Sequence, residues 1–276
     1  MSPLAVIFGL VVGLSLGLTG GGGSILAVPL LVYGLGLAPT EAVGVSLAAV
    51  GATALVGAAE RMRRGEVEVR TGLIFAAAGM LGAPLGAWVG RRLPGPVLLL
   101  GFAGLMLWVA VRMWLKVSHR PEEAAVVRSP SLQPPVPSRG PACSRDPAGK
   151  LRWTSRCARV LAVCGVAAGV LSGLFGVGGG FVIVPSLVLF SGMGIHRAVA
   201  TSLLVIAVIS GAALASYAVA GQLLDAWTTG FFVAGGVIGL AAGTWVGRAV
   251  SPVQLQKVFS AVIVAVAVFV ILKNLA

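Results

Sequence analysis

The sequence predicts an all-α integral membrane protein made of two repeated halves of about five apolar segments each. Three observations predict it. The chain of 276 residues is 58% hydrophobic and 10% charged, whereas a soluble domain carries about 25% charged residues. Ten apolar stretches punctuate it, five on each side of a polar linker. The motifs of the first five recur in the second five. Forty glycines and few aromatics suit helices that pack through small residues in lipid.

The first half reads as segments near Leu4–Leu18, Ser24–Leu37, Ala42–Ala59, Thr71–Val89 and Pro96–Leu115. The second reads as Val160–Leu174, Phe181–Gly194, Ala198–Ala218, Trp227–Val246 and Val253–Leu272. The N-terminal stretch has no preceding basic region and no small-residue cleavage site after it, so it is taken as retained structure and not as a signal peptide. The first two segments of each half, about 15 and 14 residues, give roughly 22 Å of helix each against a hydrocarbon core of about 30 Å. Each half is therefore expected as a short Gly-rich helical hairpin plus three spanning helices, the hairpin's bare backbone hidden from lipid.

The expected domains are a first membrane repeat at residues 1–116, a linker at 117–158 and a second repeat at 159–276. The linker holds seven of the fifteen prolines, and nine basic residues face three acidic ones from Lys116 to Arg159. That composition builds no core and reads as disordered. Much of the formal charge of +12 lies there, beside apolar spans, which marks a cytoplasmic loop and not a nucleic-acid site. The three cysteines, Cys143, Cys157 and Cys164, show neither a disulfide framework nor a zinc spacing.

Gly17-Leu18-Thr19-Gly20-Gly21-Gly22-Gly23 aligns with Gly173-Leu174-Phe175-Gly176-Val177-Gly178-Gly179. Pro29 with Pro185 and Ser46 with Ser202 follow at the same offset, and Gly86–Arg91 matches Gly243–Arg248 one residue further on. With the linker inside, the loop of Arg61, Arg63, Arg64 and Arg70 is also inside, while its uncharged or acidic counterpart, Val219 to Asp225, falls outside. Inverted repeats are the expectation, with substrate bound where the two repeats meet. Arg91, Arg92 and Lys273 then lie outside. A competing arrangement turns each Gly-rich pair into one broken span, giving four plus four spans in parallel; it puts His196 and Arg197 outside too.

Candidate binding residues are Gly20, Gly21, Gly22, Gly23 and Ser24 in the first half, and Gly176, Gly178, Gly179 and Gly180 in the second. Glycine-rich backbone leading into a helix N-terminus converges N–H groups on one point and adds the helix's partial positive charge, which suits a small anion. Ser46, Thr201 and Ser202 open the third segment of each half, where hydroxyls could reach an oxyanion. Pro29 and Pro185 read as kinks. Trp88 and Trp245, three residues before Arg91 and Arg248, read as interfacial anchors. Tyr217, Gln222 and His196 are expected near loop ends, solvated.

The run Gly169-Val170-Leu171-Ser172-Gly173-Leu174-Phe175-Gly176-Val177-Gly178-Gly179-Gly180, with Ala198-Val199-Ala200-Thr201-Ser202-Leu203, resembles the signature of the TauE/SafE sulfite exporter family. Gly13–Pro29 and Ala42–Leu47 resemble it as well. The resemblance implies movement of sulfite, sulfonates or related sulfur-containing or organic anions. Gly44-Val45 stands where the second half has Ala200-Thr201, which argues against two equivalent sites.

No acidic residue or histidine falls in the middle of a segment, so neither an enzyme's convergent titratable groups nor a carboxylate proton relay is expected, and no metal or cofactor. The expected function is an exporting transporter of a small anion by alternating access in the cell membrane; a channel-like or structural membrane protein is the alternative. The lipid bilayer and a small anion are the expected partners, nucleic acid is not one, and assembly into a homo-oligomer is left open.

Overall fold

A computed structural model describes residues 2–119, 155–191, 193, 195–221, 225–246 and 252–275. Most of the linker lies outside these residues, as do Gln222 and Arg248. The described chain is helical and forms ten elements. They are α1 (Ser2–Thr19), α2 (residues 22–34), α3 (Pro39–Arg63), α4 (Val69–Arg92) and α5 (Gly95–His119), then α6 (Ser155–Phe175), α7 (Gly180–Ser191), α8 (Ile195–Val219), α9 (Ala226–Val246) and α10 (Pro252–Leu275). Among the described residues, Pro39–Arg63, Val69–Arg92, Cys157–Phe175, His196–Val219 and Ala226–Val246 are long and apolar enough to cross a membrane.

Local chemistry sets several boundaries. Pro39 starts α3, where its missing N–H costs nothing. Gly65 and Gly221, at equivalent places, follow α3 and α8 with φ of 69° and 72°, the left-handed turn that ends a helix. Asp225 caps α9 by accepting from the N–H groups of Trp227 and Thr228 at 3.3 and 3.1 Å. The Thr228 hydroxyl and N–H hold its carboxyl below the usual range. Pro185 lies inside α7. Pro29 sits where α2, which begins as a 3-10 turn, passes from α to the wider π winding, one recognised way of absorbing a missing N–H.

The first arm of each hairpin is longer than expected, 18 residues in α1 and 21 in α6, hence about 27 and 31 Å. Polar residues such as Ser155 and Arg156 extend the helix beyond its apolar stretch. The second arms are short; α7 has 12 residues. A Cβ added to Gly23 would stand 2.3 Å from the Ser15 carbonyl carbon, and one on Gly34 2.3 Å from a Phe8 ring carbon. The chain therefore reverses at Gly20–Gly23, and α2 runs back along α1.

The halves interlock instead of packing side by side. Helix α1 lies on α9 with Gly9 against Phe232, Gly13 against Gly236 and Gly17 against Leu240. The equivalent residues repeat the arrangement between α6 and α4, with Gly165 on Phe75, Gly169 on Gly79 and Gly173 on Ala83. In both pairs numbers rise together, so the helices are parallel. A Cβ on Gly13 would sit 1.9 Å from the Gly236 oxygen, and one on Gly169 2.1 Å from the Gly79 oxygen. Only glycine permits this approach, and close backbone packing is what holds helices together in lipid.

At the centre α3 and α8 cross in opposite directions, Gly51 beside Ser210 and Gly57 beside Leu203. The Glu68 N–H donates to Thr201 Oγ1 at 3.0 Å, so the α3–α4 loop sits at the start of α8. Gly221 follows the far end of that helix at Val219, roughly 27 Å from Thr201. The two equivalent loops thus lie at opposite ends of the molecule. Gly95, beside Pro39, brings the α4–α5 connection to the end opposite Glu68.

Two expectations are corrected. Tyr217 is buried at 1% exposure, because the end of α4 packs over it; the Arg91 guanidinium lies 5.4 Å from its ring and donates to the Ser216 carbonyl at 3.3 Å. Cys157 is disulfide-bonded, whereas Cys164 is free; one bridge leaves no spacing signature. Trp88 does meet a cation, the Arg92 guanidinium at 3.6 Å from its ring, and His196 is exposed.

Candidate functional site

The two hairpin tips meet between α3 and α8. A Cβ on Gly180 would stand 2.5 Å from the Gly21 Cα, and one on Gly21 2.7 Å from the Gly180 Cα. The sequence placed these turns at matching positions of the two halves; the structure brings them together. Ser24, fully buried, donates to the Gly21 carbonyl at 2.8 Å and also reaches the Val177 carbonyl, bridging the tips.

Each tip is also held by the third helix of the other half. Ser202 Oγ on α8 donates to Gly20 O at 2.6 Å and is shared with Val199 O at 2.8 Å. Ser46 Oγ on α3 donates to Gly176 O at 2.5 Å. A serine hydroxyl has one proton. In this arrangement both protons go to backbone carbonyls, leaving none for an oxyanion. Thr201 stands one residue outside the contact, accepting from the Glu68 N–H and pointing at Met193 Sδ, 3.7 Å away.

The backbone donors of the two turns differ. Gly22 opens the 3-10 turn of α2, and the Gly23 N–H is taken by Thr19 Oγ1 at 3.1 Å. In the second half, Gly178 and Gly179 have φ of 66° and 69°, conformations that side chains disfavour. Their N–H groups meet no acceptor among the described residues. Gly180 begins α7, whose N-terminus adds partial positive charge there. The surroundings are apolar: a Cβ on Gly178 would touch Val50 and Ile206, one on Gly176 Val43, and one on Gly20 Val199. Such a site offers neutral donors to an anion without a buried cation.

Sequence reasoning missed Ser210, which is fully buried beside Gly178 with its hydroxyl unpartnered. The signal available was that α3 carries Ala54 at the equivalent place. Among the described residues the acids Glu41, Glu60, Glu66, Glu68 and Asp225 all lie at helix ends or in loops, and no group of histidine, cysteine and acidic side chains could hold a metal ion.

A family model described as sulfite exporter TauE/SafE matches residues 5–270. A probable membrane transporter protein of Xylella fastidiosa (strain 9a5c) is 34% identical over 270 residues, 95% of this chain and 92% of that protein. The probable membrane transporter proteins YunE and YdhB of Bacillus subtilis (strain 168) are 27% and 28% identical, over 80% and 74% of this chain and 79% and 73% of their own lengths. No solved structure matches the chain.

Proposed function

From the chain's membership of the sulfite exporter TauE/SafE family, which makes it a membrane transporter, we propose that it moves a small anion, such as sulfite or a sulfonate, outward by alternating access. The observation that carries this reading is the meeting of the two glycine turns where α3 and α8 cross. The proposed site comprises Gly20–Ser24, Gly176 and Gly178–Gly180, with Ser46 and Ser202 holding the turns and Thr201 behind them. Neutral N–H donors at a helix N-terminus suit an anion. Their place between the two repeats is where transporters of this architecture bind substrate.

The antiparallel crossing of α3 and α8 and the opposite placement of the two equivalent loops support inverted repeats. A two-fold axis relating antiparallel spanning helices lies in the membrane plane. Arg61, Arg63, Arg64, Arg70, His196 and Arg197 then share one face with both ends of the linker, and we assign that face to the cytoplasm of the cell membrane. With an inside-negative potential, one negative charge moving outward gains about 2.3 kcal/mol per 100 mV, enough for export without a coupled ion. No enzymatic activity is proposed.

Flux of radiolabelled sulfite and of a sulfonate into proteoliposomes tests the proposal. Saturable flux, faster for one anion than for chloride, supports it. Unsaturated conductance or no flux would favour a channel or a structural protein.

A further inference from the structure

The internal repeat acts as a built-in comparison of the two glycine turns. In the first, Thr19 caps the Gly23 N–H, and α3 places Ala54, buried to 0% exposure, at the central crossing. In the second, the residue equivalent to Thr19 is Phe175, the Gly179 N–H is uncapped, and α8 places Ser210 where α3 has alanine. The first turn thus caps its Gly23 N–H, while the equivalent Gly179 N–H in the second stays open.

Ser210 does not behave as a structural helix serine. Such residues usually return their proton to the carbonyl one turn back, as Ser191 does to Leu187, Ser216 to Ala212 and Thr19 to Ser15. The Ser210 hydroxyl makes no hydrogen bond. A Cβ added to Gly178 would lie 3.4 Å from it, so the oxygen faces the open turn. An unpaired hydroxyl in a dry core destabilises the fold and calls for an explanation. Packing does not supply one, because Ala54 fills the equivalent place.

We infer that Ser210 Oγ and the N–H groups of Gly178 and Gly179 together form the substrate's binding set, in the second repeat only, so that one anion binds per chain. All three donors are neutral and the walls, Val50 and Ile206, are apolar, which selects a small, singly charged oxyanion, hydrogensulfite or a sulfonate, over a divalent one. Both walls crowd the turn in this packing, each with a methyl carbon 2.9 Å from where a Cβ on Gly178 would stand. The anion is admitted when the α7 tip separates from the α3–α8 crossing. The inference rests on the anion-transport reading above and narrows its site.

The test is radiolabelled sulfite binding and flux with purified parent, Ser210→Ala and Thr19→Val proteins, read beside thermal stability in detergent. Loss of one neutral hydrogen bond should weaken sulfite affinity roughly 2- to 12-fold in Ser210→Ala, while its melting temperature stays level or rises. Thr19→Val should lower the melting temperature and keep the affinity. In a cysteine-free background, Ser210→Cys should react with a small thiol reagent and be protected by methanesulfonate. Parent-like sulfite affinity in Ser210→Ala overturns the inference and leaves the transport reading standing. A Ser210→Ala protein that fails to fold also overturns it, since the repeat tolerates alanine there. A parent that neither binds nor moves sulfite or methanesulfonate overturns the transport reading and the inference with it.

Discussion

Ser202 donates its hydroxyl proton to the carbonyl of Gly20, 182 residues away, at 2.6 Å; Ser46 repeats the bond on Gly176 at 2.5 Å. Each bond ties the tip of one half's hairpin to the third helix of the other. Ser202→Ala is expected to leave a buried carbonyl short of a donor and to destabilise the protein by about 1–3 kcal/mol, with Ser46→Ala similar. Melting temperatures in detergent measure this. Unchanged stability with weakened anion binding would instead give the hydroxyl to the substrate.

The glycine seams are expected to tolerate nothing larger. Gly13→Leu and Gly169→Leu should each prevent folding, because a Cβ alone would already overlap a facing backbone oxygen. Gly104→Ala, where nothing lies within 4 Å, should fold normally and gain slightly in helix propensity. Expression and monodispersity on size exclusion separate the two outcomes.

Gly178→Ala and Gly36→Ala share a positive φ but differ in surroundings. At Gly36 nothing lies within 4 Å, while at Gly178 the new carbon meets Val50 and Ile206 at 2.9 Å. Both should carry about 1–3 kcal/mol of backbone strain. Only Gly178→Ala should abolish flux, measured at equal amounts of inserted protein; comparable flux in both would remove the second turn from the transport site.

Cysteines at Glu66 and Ala220 should be labelled from opposite faces of the membrane, since their loops lie at opposite ends of α8. Labelling from one face would make the halves parallel. The Glu66 face should be cytoplasmic. A reducing cytoplasm keeps thiols free, so the Cys157 bridge should then be open in cells and closed only after oxidation, as alkylation followed by mass spectrometry will read.

Removing residues within 125–150, clear of the end of α5 at His119 and the start of α6 at Ser155, should leave insertion and flux intact. No described helix draws on that stretch, and its prolines and charges cannot build a core. A shortened chain that inserts without flux would show that the linker takes part in transport.

Much of the architecture was legible. Apolar length located all ten described helices, and the matched glycine runs located both turns, because these are properties of contiguous residues. Helix ends were less legible: α6 runs back to Ser155 because polar residues at a helix end interrupt hydrophobicity without breaking backbone hydrogen bonds. Tyr217 was misplaced for a related reason. Its neighbour Arg91 comes from another helix, and nothing near residue 217 announces it.

By itself the sequence determined that the chain is helical, membrane-embedded, twofold repeated and turned by glycine at equivalent points. Only the tertiary structure decided that α1 packs on α9 and α6 on α4, that the hydroxyls of Ser46 and Ser202 are spent on Gly176 and Gly20, and that Ser210, where α3 has Ala54, lies beside Gly178 with its hydroxyl unpartnered. The reason is physical. A run of small residues shows that a helix can be approached closely, but the same bare surface accepts any partner. A serine shows that a proton is available, but its destination depends on which carbonyl, far along the chain, is folded within 3 Å of it.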